Sequence, residues 1–145
     1  MKWLKTSNLF FLAFSTVRTL QSIAFHADVL ALPVTATTPN TTPFDIGLGI
    51  AMIFAIKNTH QFNEGSNWML EISRLCPVWL KLYFCCVWIY GAVEGISHFG
   101  MPLWAENPDY WRFRESSVAD IVLYSTTTVI FYASVKRDRL HNESQ

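Results

Sequence analysis

Apolar residues along this chain gather into four stretches, each of helical length, separated by short polar segments. They cover about 8–30, 44–60, 77–99 and 117–134. A hydrocarbon core about 30 Å thick takes about 20 residues of helix at 1.5 Å per residue. The pattern therefore predicts an all-α fold, a four-helix transmembrane bundle forming a single membrane domain over 1–145. The second stretch is the shortest. Its apolar core, Ile46 to Ile56, has 11 residues and by itself would reach about 16 Å. Extension from Phe44 to His60 lengthens it if Lys57 snorkels outward; a tilted or re-entrant helix is the alternative.

The connections differ in character. Residues 31–43 form an outer loop, with Pro33 to Pro43 rich in proline and threonine and containing an Asn40-Thr41-Thr42 acceptor triplet. Gln61 to Ser66 is polar. In Asn67 to Leu75, Trp68, Ile72 and Leu75 share a helical face with Glu71 and Arg74 beside them. That segment reads equally as a short helix on the membrane surface and as an extension of the third span. Pro77 suits a first helical position. Residues 100–116 form a second outer loop rich in Trp, Pro and charge. At the N-terminus, Lys2 and Lys5 precede Leu9 to Phe14 in the manner of a signal peptide. Arg18, Gln21 and Ser22 interrupt that run, so the first helix is expected to be retained.

Orientation follows from basic residues. Lys2, Lys5, Lys57, Arg74, Lys81, Lys136, Arg137 and Arg139 fall on one side, eight against two, Arg112 and Arg114, on the other. Both termini are therefore expected in the cytosol. Trp3, Trp68 and Trp79 would mark the inner interface and Trp104 and Trp111 the outer.

Composition narrows the function classes. Charged residues are 15% of the chain, against about 25% in soluble domains. Eleven basic and eleven acidic residues cancel, so no field recruits nucleic acid. Cys76, Cys85 and Cys86 lie in or just before one apolar stretch and read as small apolar filler rather than as a disulfide framework or metal site.

The predicted topology brings six ionisable residues to similar depth near the outer side: His26, Asp28, Asp45, Glu94, His98 and Asp120. Charged groups at membrane depth are costly and need partners. Gly91, Glu94, Gly95 and His98 share one face of the third span, with Phe84, Val87 and Trp88 below. Gly91 and Gly95 form a small-xxx-small pair for close helix packing. Asp120, Tyr124, Thr127 and Phe131 share a face of the fourth span, and Arg18, Gln21, Ser22 and Phe25 one of the first. Arg18 is the hardest to place, since a guanidinium at mid-bilayer costs at least about 2.5–3.5 kcal/mol. Its expected carboxylate is Glu94, with Asp120 behind it and Gln21 and Tyr124 adding hydrogen bonds.

Three functional readings compete with a purely structural clasp. Facing imidazoles of His26 and His98 would suit a haem or another metal. Glu94, His98, Asp120 and Asp28 would suit acid–base work on a quinone or lipid. An outer loop carrying Trp104, Tyr110, Trp111, Arg112 and Arg114 would suit a membrane or periplasmic protein partner, although Trp104 and Trp111 also suit an interfacial belt.

Cys76-Pro77-Val78-Trp79-Leu80-Lys81, leading into a Tyr/Phe/Cys-rich span, resembles a group of small bacterial four-helix integral membrane proteins with Cys-Pro-x-Trp before the third span. The likeness covers Leu75 to Lys136 and includes a fourth span rich in Ser, Tyr and Ala. It implies four spans and a bacterial cytoplasmic (inner) membrane, and no activity. Trp111 to Glu115 is more charged than that pattern. The expected function is that of a non-enzymatic accessory, assembly or protective protein, immunity-like, among membrane lipids. No metal or cofactor is expected; a haem or quinone belongs to the alternative, a membrane redox or acid–base enzyme subunit.

Overall fold

A computed structural model describes residues 2–31, 42–60, 67–98 and 108–143, with side chains over 7–27, 46–57, 67–96 and 114–143. Five helices account for the described secondary structure: α1 (Lys2–Ala31), α2 (Thr42–His60), α3 (Trp68–Leu75), α4 (Val78–His98) and α5 (Pro108–Glu143). The all-α expectation holds. Among the described residues, two helices are long and apolar enough to cross a membrane, α4 over Val78–Ile96 and α5 within Arg114–Glu143, and α2 contributes a shorter apolar run, Ile46–Lys57.

The break between α3 and α4 has a local cause. Pro77 disfavours helical backbone in the residue before it, and Cys76 is extended, with φ −85° and ψ 138°. Asn67 caps the start of α3 by accepting the Met69 N–H at 3.0 Å, and the Cys76 N–H closes the end on the Ile72 carbonyl. The Pro77 carbonyl then accepts from Leu80 and Lys81 to start α4. Of the two readings of Asn67 to Leu75, the separate helix is the one found.

One expectation about loops is corrected. Residues 108–116 do not belong to an outer loop but to the first turns of α5. Proline is favoured at a first helical position, where its missing N–H has no partner to lose, and Pro108 occupies it. The 36 residues of α5 reach about 54 Å, well beyond a bilayer's hydrocarbon core.

Helix α5 is the axis, and α1, α2, α3 and α4 all pack on it. Part of this packing is apolar. Leu48 and Ala55 from α2, Ile72, Cys76, and Leu80 from α4 surround Val129, Ile130, Phe131 and Ala133 of α5, and Phe11 stacks on Phe131 at 5.4 Å. The outward surfaces are apolar as well: Phe10, Leu20, Ile50, Ile53, Phe54, Leu82, Ile89 and Ile96 are all exposed. Polar side chains share the interior with the apolar cluster, with Ser15, Ser117, Ser125 and Ser134 completely buried. This distribution inverts that of a water-soluble bundle.

Candidate functional site

The polar interior lies mostly on the seam between α1 and α5. The inward face of α1 is Asn8, Ser15, Thr19, Ser22 and His26, all buried. Asn8, Ser15 and Ser22 are seven apart, as are Thr19 and His26. That spacing keeps one seam facing a partner helix. Gln21 is exposed, so the face expected from Arg18, Gln21, Ser22 and Phe25 is rotated from the true one. The seven-residue recurrence was the signal that would have found it.

Three clusters run up this seam with the helices antiparallel. At the base, Asn8 Nδ2 donates to Ser134 Oγ at 3.0 Å and to Asp138 Oδ2 at 3.3 Å. In the middle, the Thr128 hydroxyl lies 3.1 Å from Ser15 Oγ and 3.4 Å from Thr19 Oγ1. Just above, Arg18 donates to Tyr124 Oη at 3.0 Å and to Gln21 Oε1 at 3.2 Å, with its guanidinium carbon 4.8 Å from the Tyr124 ring centre.

The third cluster joins three helices. His26 Nδ1 lies 2.7 Å from Ser117 Oγ on α5, and His26 Nε2 lies 2.5 Å from Tyr90 Oη on α4. Ser117 donates its own proton to the Arg114 carbonyl at 2.8 Å. Its oxygen therefore accepts from His26, which assigns the proton to Nδ1 and makes Nε2 the acceptor of the Tyr90 hydroxyl. One turn beyond, Arg114 grips Glu94 side-on, Nε to Oε2 at 2.9 Å and Nη2 to Oε1 at 2.8 Å. A bidentate guanidinium–carboxylate pair is the strongest hydrogen-bonded arrangement available here.

This geometry corrects the expected ion pair between Arg18 and Glu94. Glu94 belongs to Arg114, one helix over and closer in depth, while Arg18 meets the two neutral groups foreseen as its supplementary partners. The reason is the axial position of α5. It presents Tyr124 to Arg18 and Arg114 to Glu94, while α1 and α4 meet through His26 and Tyr90. Asp120 is half-buried on α5. Asp28, Asp45, His98, Trp104, Tyr110, Trp111 and Arg112 lie outside the described residues or side chains. Tyr90 and Ser117, which complete the cluster, were not singled out from sequence, because their role depends on which helix α5 faces at each level.

Of the two glycines expected to receive a neighbouring helix, Gly91 does. A Cβ there would sit 2.7 Å from Val122 Cγ2 of α5, whereas one on Gly95 would meet nothing within 4 Å. Gly95 instead opens on a lateral groove of about 830 Å³ between α2 and α4, floored by α5. Its walls include Met52, Trp88, Ala119, Val122 and Thr126, and Glu94, Arg114 and Glu115 stand at one end of it. Below the α3–α4 break, burial pushes the Cys76 thiol up to about 11, with the Lys81 ammonium opposing the shift.

No family model, no curated protein and no solved structure matches this chain.

Proposed function

We propose that this chain is a small multi-pass membrane protein of the bacterial inner membrane that serves as an accessory, assembly or protective component. In this reading α1, α2, α4 and α5 cross the bilayer, both termini stay in the cytosol, and action runs through helix packing and the outer loop. The observation that carries it is the use made of the polar groups. Arg18, His26, Glu94 and Arg114 are each engaged by a side chain of their own chain, and all four of these contacts tie one helix to another. Polar side chains placed this way fix helix order and register in a solvent that offers no competing hydrogen bonds. The apolar outer surface of α4 supports lipid as that solvent. In water, leaving a large apolar side chain exposed forgoes about 1.5–3 kcal/mol, and α4 presents Val78, Leu82, Ile89, Val93 and Ile96 outward.

The test is capture. After cross-linking in intact membranes, an accessory protein brings down a defined membrane or periplasmic partner, and capture is lost when the segment from Met101 to Asn107 is replaced by a neutral linker. Recovery of the chain in a carbonate-extracted supernatant would end the reading.

A second reading, a redox or acid–base enzyme subunit, draws on the Tyr90–His26 contact, a phenol held against an imidazole acceptor. It predicts a co-purifying quinone or a Soret band. Haem ligation by His26 would require the displacement of Tyr90 from Nε2 or of Ser117 from Nδ1.

A further inference from the structure

We propose that the groove between α2 and α4 holds one chain of a zwitterionic, amine-bearing glycerophospholipid from the outer leaflet. This goes beyond the accessory reading but rests on the bilayer embedding assumed there. Length is the first argument. From Arg114 at the outer end to Thr126 at the inner, the α5 wall runs twelve residues, about 18 Å. One leaflet contributes about 15 Å of hydrocarbon, half the core thickness. A helix of a partner protein would need the full thickness and a bed about 10 Å wide, whereas the groove ends near mid-bilayer. Its volume, about 830 Å³, falls in the usual range for a bound small molecule.

Charge decides the head group. Arg114 supplies a guanidinium whose planar fork serves carboxylate and phosphate alike, and basic sites between spans commonly hold lipid phosphates. Glu94 already balances that charge at 2.8 Å. Glu115 then adds a carboxylate that is exposed and makes no ion pair among the described residues. The described charges at the mouth thus leave a net negative charge. A purely anionic head group would meet it with repulsion, while one that carries an ammonium beside its phosphate places phosphate at Arg114 and ammonium at Glu115. Along the groove itself, Gly95 leaves its space open and the walls are apolar.

The test uses the full chain reconstituted in vesicles of equal parts dioleoyl phosphatidylethanolamine and dioleoyl phosphatidylglycerol, then released from mild detergent for native mass spectrometry. The wild type should retain one phosphatidylethanolamine per chain, at least tenfold over phosphatidylglycerol. Gly95→Phe, whose Cβ would meet nothing within 4 Å and whose ring would occupy groove space, should lower retention at least tenfold with an unchanged melting temperature. Ala119→Phe plugs the same space from α5 and serves if the first variant does not fold. Glu115→Gln should keep a bound lipid but bring the two head groups to near parity. Retention of no lipid, retention of an isoprenoid quinone, equal retention in both plugged variants, or a dimer that the plugs dissociate would each overturn the proposal. Carbonate extraction of the same vesicles separates the two ideas: a chain that stays embedded but carries no lipid sinks the groove alone.

Discussion

Arg114 and Glu94 are mutually dependent. Their side chains are 22% and 13% exposed, so removal of one leaves the other charged in a poorly solvated place. Arg114→Ala should therefore cost about 3 kcal/mol, the lower end of the penalty for breaking a buried pair. The double variant with Glu94→Ala should recover most of it, as read by unfolding in detergent. Arg18 differs because its partners are neutral. Arg18→Leu strands no carboxylate, and its cost should stay near the value of a single hydrogen bond, about 1 kcal/mol; a loss as large as that of Arg114→Ala would show a carboxylate partner after all. Cys76 makes a pH prediction. Burial raises its thiol from 9.0 to about 11, so the folded state holds a proton that the unfolded state releases in that window. Stability must fall as pH rises from about 9 to 11. Measured against Cys76→Ala, which lacks the ionisation, the wild type should lose ground over that interval and not below it.

Helix α1 shows how an element can be shaped by a neighbour against its own local preference. Its buried face is Asn8, Ser15, Thr19, Ser22 and His26, while Phe10, Val17 and Leu20 are exposed and Phe11 packs on Phe131 of α5. Ser15→Leu raises the hydropathy of α1 and should improve its insertion as a single span. The same change should destabilise the assembled protein by about 1–3 kcal/mol, the usual cost of overpacking, because Ser15 is completely buried against α5. An insertion assay and a thermal melt should move in opposite directions. Gly91→Ala belongs to the same class. Its new methyl meets Val122 at 2.7 Å, so the Val122 side chain or the α4–α5 spacing must give, whereas Gly95→Ala should be neutral or slightly stabilising through helix propensity. Comparable melts for the two alanine variants would show that α4 does not approach α5 closely at Gly91.

At the scale of the molecule, the division is between a lower half in which apolar packing adds to the Asn8–Ser134 hydrogen bond and an upper half held by hydrogen bonds and open at one side. The lower half has Leu48, Ala55, Ile72, Leu80 and Phe131 in a single cluster. The upper half has the His26–Ser117–Tyr90 and Arg114–Glu94 contacts, with the groove beside them. Reporter fusions at both ends check the proposed topology, since both should report cytosol. A periplasmic signal from either end would remove one crossing and leave α2, whose apolar run is the shortest, as the helix that does not span.

The sequence by itself determined that the chain is helical and where its long apolar runs lie, because these are local matters. Apolar run length marked the four long elements; the sequence leaves open whether α3 is separate from α4, and 108–116 reads as a loop rather than as the start of α5. It also placed His26, Glu94 and Arg114 near one end. It did not determine which of them meet. Arg18 and Glu94 looked complementary, yet a pair forms only if two faces point at each other at equal depth, and periodicity specifies a face without naming the helix it turns toward. The tertiary structure decided that by putting α5 at the centre, so that Tyr124 answers Arg18, Arg114 answers Glu94, and α2 and α4, both drawn to α5, leave a groove between them.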